Sequence, residues 1–377
     1  MRQARLSPAP AVPPCNLKYP EPMPAQPRPH RATIADVARE AGVSRTTVSH
    51  ALNGLGKVNS QTRERVMAVA AELNYRPSVR AQGLRKGRSQ SLALLSSMPA
   101  AVSAGPSQLG FFTELAMSCA RTALLRGYVF MLTPPVSGTD PVDRLDIDGA
   151  VLLEPAVDDP IASALEARGI PYVTIDGPGG AAQASGVVDL RHAQTAELLV
   201  EHLIAQGARR PALIVGTSER GAQVAARNAY LAAAAEYGFA PVIAEADEEE
   251  GEPAGADAAG AILSDAPDVD ALFVPIDTFA SGAVRAAEAA GRSVGVDLLV
   301  ATRYDGLRAR TSTPPLTAVD LGLDEVARDA VELLLAVLDG SPASPEVERP
   351  HRPDPRLIVR ASTAGPGGHL GERPQIR

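Results

Sequence analysis

Cysteine is scarce in this 377-residue chain: Cys15 and Cys119 are the only two. One falls in a proline-rich stretch and the other in an apolar helical pattern, so neither a disulfide framework nor a thiolate metal site is implied. Long hydrophobic runs are missing as well. Runs such as Ala212-Leu213-Ile214-Val215 fall far below the ~20 residues a membrane helix needs. Behind Arg2 and Arg5, prolines interrupt the place where a signal peptide would need an unbroken apolar stretch, so a cytoplasmic protein without membrane attachment is expected. Reactive motifs are equally sparse. There is no P-loop, no Gly-x-Ser-x-Gly elbow and no Gly-x-Gly-x-x-Gly after a strand, and Gly177-Pro178-Gly179-Gly180 lacks phosphate-loop spacing. His30, His50, His192, His202, His351 and His369 never stand at i, i+4 and have no carboxylate framework for a metal. The expectation is a chain that is not an enzyme and carries no metal or cofactor.

What is present is unevenly charged. The formal net charge is −8, yet residues 31–88 hold eleven Lys/Arg against four Asp/Glu, and the first thirty residues add a surplus of three positive charges. The remainder is therefore strongly acidic. A basic module on an acidic body is the electrostatic footprint of a polyanion-binding unit, although a solvated basic helix face has the same composition. The length calls for two or three domains.

Residues 1–31 are proline-dense (Pro8, Pro10, Pro13, Pro14) and aperiodic, which predicts a disordered tail. From Thr33 to Tyr75 apolar residues recur at helical spacing in three short runs. Thr33 and Asp36 form a capping-box variant for the first, whose Ile34, Val37, Ala38 and Ala41 share a face, and Gly42 ends it. Ser44 caps a second helix, from Arg45 to about Leu52, and a third runs from about Ser60 to Asn74. A Gly-containing three-residue turn between the first two predicts helix-turn-helix geometry, the second helix entering the major groove of DNA. A basic, glycine-punctuated linker follows over 77–88.

Beyond Ser91, short aliphatic strands alternate with Ala-rich helices, the pattern of a doubly wound parallel sheet. Strands are predicted at Leu92–Leu95, Val129–Leu132, Ala150–Leu153, Tyr172–Ile175, Ala212–Val215, Ala271–Val274 and Leu298–Ala301, with a helix at Thr195–Gln206 among those between them. Some 270 residues exceed one sheet, so two subdomains with a cleft are expected. The acidic, Ala- and Gly-rich stretch Glu245–Gly260 is expected to be a flexible surface excursion.

The segment 33–53, TIADVAREAGVSRTTVSHALN, closely resembles the lactose/galactose repressor family, and the likeness continues through Val58, Thr62, Arg63 and Leu73-Asn74-Tyr75-Arg76-Pro77 to Leu84. A looser resemblance runs through Phe111-Phe112, Asp176, Gly207-Ala208-Arg209-Arg210, Arg227, Thr313-Pro314-Pro315-Leu316-Thr317 and the stretch 357–363. It implies an N-terminal all-α helix-turn-helix headpiece with a hinge, and a C-terminal α/β periplasmic-binding-protein-like body of two doubly wound parallel-sheet subdomains. The implied division is a tail over 1–31, a DNA-binding domain over 32–76, a hinge over 77–88, an effector-binding and dimerisation domain over 89–363 and a flexible tail over 364–377. The implied function is a transcription regulator, acting as a repressor, that reads a near-palindromic operator in double-stranded DNA as a homodimer and answers to a sugar or nucleoside-like effector. Two other readings remain open: a regulator whose body only dimerises, and a solute-binding protein. Departures lie in the body, where Ile276-Asp277 replaces a usual Asn-Asp and Arg303-Tyr304-Asp305-Gly306 a usual Gly-aromatic-Asp-Asp.

In a recognition helix starting after Ser44, Arg45, Thr46 and His50 project opposite Val48 and Leu52 and are the expected base readers; Arg45 suits guanine O6 and N7. Thr33, Ser44, Thr47, Ser49, Asn53, Lys57, Asn59 and Thr62 suit phosphate contact, or simply cap helices. Ala81 and Leu84 are the expected minor-groove hinge contacts, since the family's matching leucine wedges between bases. Phe112, Asp176, Arg227 and Asp305 fall where the family places effector-contacting groups, and Arg303 would narrow the pocket or favour an anionic ligand.

Overall fold

The computed structural model describes residues 32–54, 56, 58–76, 88–103, 110–133, 142–177, 184–340 and 354–364. Lys57, Ala81, Leu84, the tail 1–31 and nearly all of the hinge and C-terminal tail lie outside the described residues. The chain divides into two units, Met1–Ser78 and Val79–Arg377.

The first unit consists of α1 (Ile34–Ala41), α2 (Arg45–Asn53) and α3 (Ser60–Glu72). Each starts on a side-chain cap: Thr33 accepts from the Asp36 N–H, Ser44 from Thr47 and Asn59 from Thr62. The Thr33–Asp36 capping box is complete in both directions, and the Thr33 hydroxyl and N–H hold the Asp36 carboxyl down to about 2. Gly42 and Gly54 end α1 and α2 in the left-handed region, where glycine alone escapes a Cβ penalty. Val37, Ala41, Val48, Ala51, Val66 and Val69 form the shared core.

The second unit opens with a five-stranded all-parallel sheet, ordered β2-β1-β3-β4-β5: β1 (Ser91–Leu95), β2 (Val129–Leu132), β3 (Gly149–Leu153), β4 (Tyr172–Ile175) and β5 (Val187–Val188). Its central strands β1, β3 and β4 are near-continuous apolar runs because both faces are covered. Leu92 and Leu94 point to one face and Ala93 and Leu95 to the other. The connections hold α4 (Ala100–Ser103), α5 (Phe111–Leu125) and α6 (Pro160–Ala167). Ahead of β3, Val142–Arg144 forms one 3-10 turn.

The second sheet, ordered β11-β10-β9-β8-β6-β7, is parallel except for its edge strand β11. In chain order it comprises α7 (His192–Ala205), β6 (Pro211–Gly216), α8 (Gly221–Tyr237), β7 (Ile243–Ala246), α9 (Glu252–Asp265), β8 (Ala271–Phe273), α10 (Asp277–Ala289), β9 (Leu299–Tyr304), α11 (Leu307–Thr311), β10 (Thr317–Asp320) and, at the end, β11 (Arg356–Ile358). α7 and α8 cover one face, α9 and α10 the other. Between β10 and β11 the chain returns to the first sheet as α12 (Leu323–Leu338), whose Val326, Ala327, Ala330, Val331 and Leu334 pack beside α5.

The seven strands read from the sequence all form, while β5, β7, β10 and β11 lacked a recognised signal. Glu245–Gly260 is a correction: in place of a flexible excursion it holds the end of β7 and the first two turns of α9. Its small residues serve close packing. A Cβ at Gly255 would collide with Phe279 Cα, and one at Gly282 with the Glu252 carbonyl oxygen. The segment reads as low complexity because two helix backbones touch there.

Candidate functional site

Two places carry functional chemistry, one in each unit. In the first, Ser44 fixes the start of α2, so that Arg45 and Thr46 stand exposed on its first turn, without polar partners among the described residues. His50 is half-buried and packs on the loop at Gly56, where a Cβ would come within 2.8 Å of Nδ1. Among the positions expected to meet phosphates, Thr33, Ser44 and Asn59 act as helix caps, their side chains accepting from the N–H groups of Asp36, Thr47 and Thr62. The Ser44 and Thr47 hydroxyls share a 2.9 Å hydrogen bond, and Thr62 is half-buried. Ser49 is turned away from this surface: it is buried, and Asn53 Nδ2 donates to its carbonyl at 2.6 Å.

In the second unit a narrow cleft opens at the carboxyl ends of the strands of both sheets, where open α/β folds bind ligands. Phe111 and Glu154 line it from the first subdomain, and Arg220, Gln223, Glu248, Asp277, Arg303 and Tyr304 from the second. The subdomains meet through Glu154. Arg303 Nη1 donates to Glu154 Oε1 at 3.0 Å and to His192 Nδ1 at 2.9 Å, and the guanidinium carbon lies 5.2 Å from the centre of the Phe111 ring. Arg220 donates to the carbonyls of Glu154 and Ser97. His192 Nε2 in turn lies 2.9 Å from Asp176 Oδ2 and 3.4 Å from Glu154 Oε1. Glu154 and Asp176 hold left-handed backbone conformations (φ 42° and 57°), a strain that persists only where the surroundings fix it.

Burial opposes ionisation of Glu154, but Arg303 and His192 beside it prevail and hold its carboxyl well below the ordinary range. The two other carboxyls of the cleft go the opposite way. Burial raises Glu248 and Asp277 above the usual carboxylate value, and Ser218 or Arg308 offsets this only in part.

None of the four residues expected to contact an effector lines this cleft. Phe112 is core on the buried face of α5, one residue out of register with Phe111. Asp176 lines a neighbouring recess with Asp189 and Arg191. Arg227 pairs with Glu245 on the surface at 2.8 Å, and Asp305 lies behind the cleft between Arg360 (2.6 Å) and Arg310 (3.3 Å). Arg303 narrows the cleft as its bulk implies, but its charge is already matched by Glu154. Glu154, Arg220, Gln223 and Glu248 were missed. Their signal was position: Glu154 directly follows β3, Arg220 and Gln223 stand at the start of α8, and Glu248 lies in the short loop between β7 and α9.

Against known proteins, residues 33–78 match the model described as bacterial regulatory proteins, lacI family, and residues 200–363 that of a periplasmic binding protein-like domain. The chain is 31% identical over 333 residues to the HTH-type transcriptional regulator CelR of Thermobifida fusca, spanning 84% of this chain and 95% of that one. The chain belongs to the lacI family of bacterial regulatory proteins. This lacI-family chain is also 30% identical over 346 residues to the HTH-type transcriptional repressor PurR of Escherichia coli O139:H28, covering 88% and 97% of the two chains. Among solved structures, the transcriptional regulator CelR-cellobiose complex superposes with a TM-score of 0.60 at 28% identity, covering 88% of this chain and all of that one. The lac repressor dimer bound to operator and the anti-inducer ONPF superposes at 0.71 with 23% identity, covering 88% and 99%, and shares the fold. The lacI-family assignment makes this chain a DNA-binding regulator of transcription, with a helix-turn-helix domain in the first unit and a periplasmic-binding-protein-like body in the second.

Proposed function

We propose that this regulator represses transcription in the cytoplasm as a homodimer reading a near-palindromic operator, and that an uncharged sugar or nucleoside-like effector controls it from the cleft of the body. The observation that carries the DNA half is the free, exposed Arg45–Thr46 edge at the capped start of α2. Arg45 is the guanine reader in this proposal, with Thr46 and His50 beside it, and Lys57 and the helix N-termini hold the phosphates. Ala81 and Leu84 keep their proposed place in the minor groove. The dimer is supported by apolar side chains left in solvent on α5 and the edge strand β2: Met117 and Leu124, one face apart by two turns, with Leu125, Val129 and Leu132. For the effector, Phe111 and Tyr304 offer apolar faces, and Gln223, Glu248 and Asp277 offer polar groups suited to hydroxyls. The relative bound to cellobiose is in keeping with that choice.

Selection on a randomised operator tests the reading. Arg45→Ala should lose about 1–3 kcal/mol of discrimination at one symmetric pair of positions, with nonspecific affinity nearly unchanged. An unaltered base preference would place the recognition face elsewhere. Affinity of the intact protein should also fall steeply with salt, at a log-log slope of about −0.9 per neutralised phosphate, and a flat salt titration would remove the DNA reading altogether.

A second reading, a body that only dimerises, is favoured by one observation: Arg303 bridges the cleft to Glu154 with the chain's own groups. A thermal-shift panel of sugars and nucleosides separates the two, since a body without an effector shows no shift with any of them.

A further inference from the structure

A guanidinium in a ligand cleft is ordinarily an anion receptor, because its planar fork matches carboxylate and phosphate oxygens. Here that capacity is spent internally. Arg303 is the charged group that lines the cleft from β9; its side chain is 13% exposed, its Nη1 is taken by Glu154 and His192, and its face rests on Phe111. Arg220 is likewise turned to backbone carbonyls on the opposite subdomain. Acidic side chains lining the cleft, Glu154, Glu248 and Asp277, outnumber the two arginines.

We propose that the cleft selects uncharged effectors and rejects anionic ones, and that the Arg303–Glu154 ion pair sets this specificity. The inference rests on the reading of the cleft as the effector site. An anion meeting the remaining N–H edge of Arg303 would lie within a few ångströms of the Glu154 carboxylate, and between side chains as buried as these that repulsion is poorly screened. A hydroxyl oxygen accepts from the same edge without the repulsion. Ligand hydroxyls also find partners in Glu248 and Asp277, carboxyls that burial raises above the usual carboxylate value. A phosphorylated or carboxylated version of the effector would therefore be excluded, although Arg303 stands where the family usually has glycine.

Inorganic phosphate is the probe, titrated into the full-length protein at constant ionic strength with chloride as control, and followed by calorimetry and thermal shift. Wild type should show no phosphate-specific binding. Glu154→Gln keeps the shape and leaves Arg303 uncompensated, so it should bind phosphate at least tenfold more tightly than wild type; Glu154→Gln/Arg303→Met should lose that gain. Phosphate binding by wild type that disappears in Arg303→Met would overturn the proposal, and so would a folded Glu154→Gln protein with no gain. If Glu154→Gln does not fold, the comparison of wild type with Arg303→Met decides: equal indifference to phosphate supports the proposal, and binding by wild type alone refutes it. Failure of the effector reading looks different, since then no uncharged sugar or nucleoside shifts any variant, whatever phosphate does.

Discussion

Arg303→Met should destabilise the body by about 3–5 kcal/mol at neutral pH, because it strands a carboxylate that is almost fully out of water. The size follows from asymmetry. Made together, the two charges offset each other's desolvation; with one removed, the other keeps its whole penalty. The pH dependence gives the sharper check. In wild type the Glu154 carboxyl is held below its unfolded value by Arg303 and His192, so its contribution to stability is present above the unfolded pKa of about 4.3 and lost only as pH falls through the depressed folded value. In Arg303→Met, burial acts with less opposition and pushes the carboxyl up. Folding then favours the protonated form, and the penalty grows as pH rises above the unfolded value. Chemical denaturation at pH 7.5 and at pH 4.5 should therefore show a gap between variant and wild type that narrows toward acid. A gap independent of pH would mean that Arg303 acts through packing alone. Combining Arg303→Met with Glu154→Gln should recover most of the loss, since no unpaired charge remains.

Gly282→Val should cost about 3 kcal/mol, the upper part of the range for overpacking. A Cβ at this position collides with the Glu252 carbonyl oxygen and comes within 2.6 Å of the Ala256 nitrogen; both are backbone atoms of α9, which no rotamer change moves aside. The facing Gly255 is equally tight, its Cβ falling 2.6 Å from the Phe279 oxygen. The consequence reaches the cleft because α10 begins at Asp277, so forcing α9 and α10 apart displaces a lining carboxyl. Thermal melts of wild type, of Gly282→Val and of Gly260→Ala, at a helical glycine with open space around it, provide the check. The control should be neutral or slightly stabilising, as Gly→Ala normally is inside a helix. Equal melting points for all three proteins would show that the helices do not meet as tightly as their glycines imply.

The headpiece was legible in the sequence because its signals are local. Thr33, Gly42 and Ser44 act within one turn of the helices they start or end, and the apolar spacing of Val37, Ala41, Val48, Val66 and Val69 describes one small core. In the body, buried parallel strands such as Leu92–Leu95 stand out as aliphatic runs, while the two-residue β5 and the edge strand β11 are too short to do so. Glu245–Gly260 misled for a specific reason: composition registers small residues as flexible, and only a facing backbone reveals them as contact. The cleft lining diverged from the expected residues because one step along a helix rotates a side chain by about 100°, enough to leave Phe112 in the core and set Phe111 at the cleft.

By itself, the sequence determined the kind of protein: a capped helix-turn-helix carried on a body of alternating strands and helices, with Arg45 and Thr46 placed on the reading helix by a three-residue turn. Those features depend on neighbours along the chain. Tertiary structure alone decided what the cleft offers a ligand. Glu154 and Arg303 are 149 positions apart, and His192 lies between them in sequence without any local sign of a role. They meet because parallel sheets bring the carboxyl ends of distant strands to a common edge. Whether an arginine there attracts an anion or is already neutralised depends on which side chain faces it across the cleft, and only the folded chain specifies that.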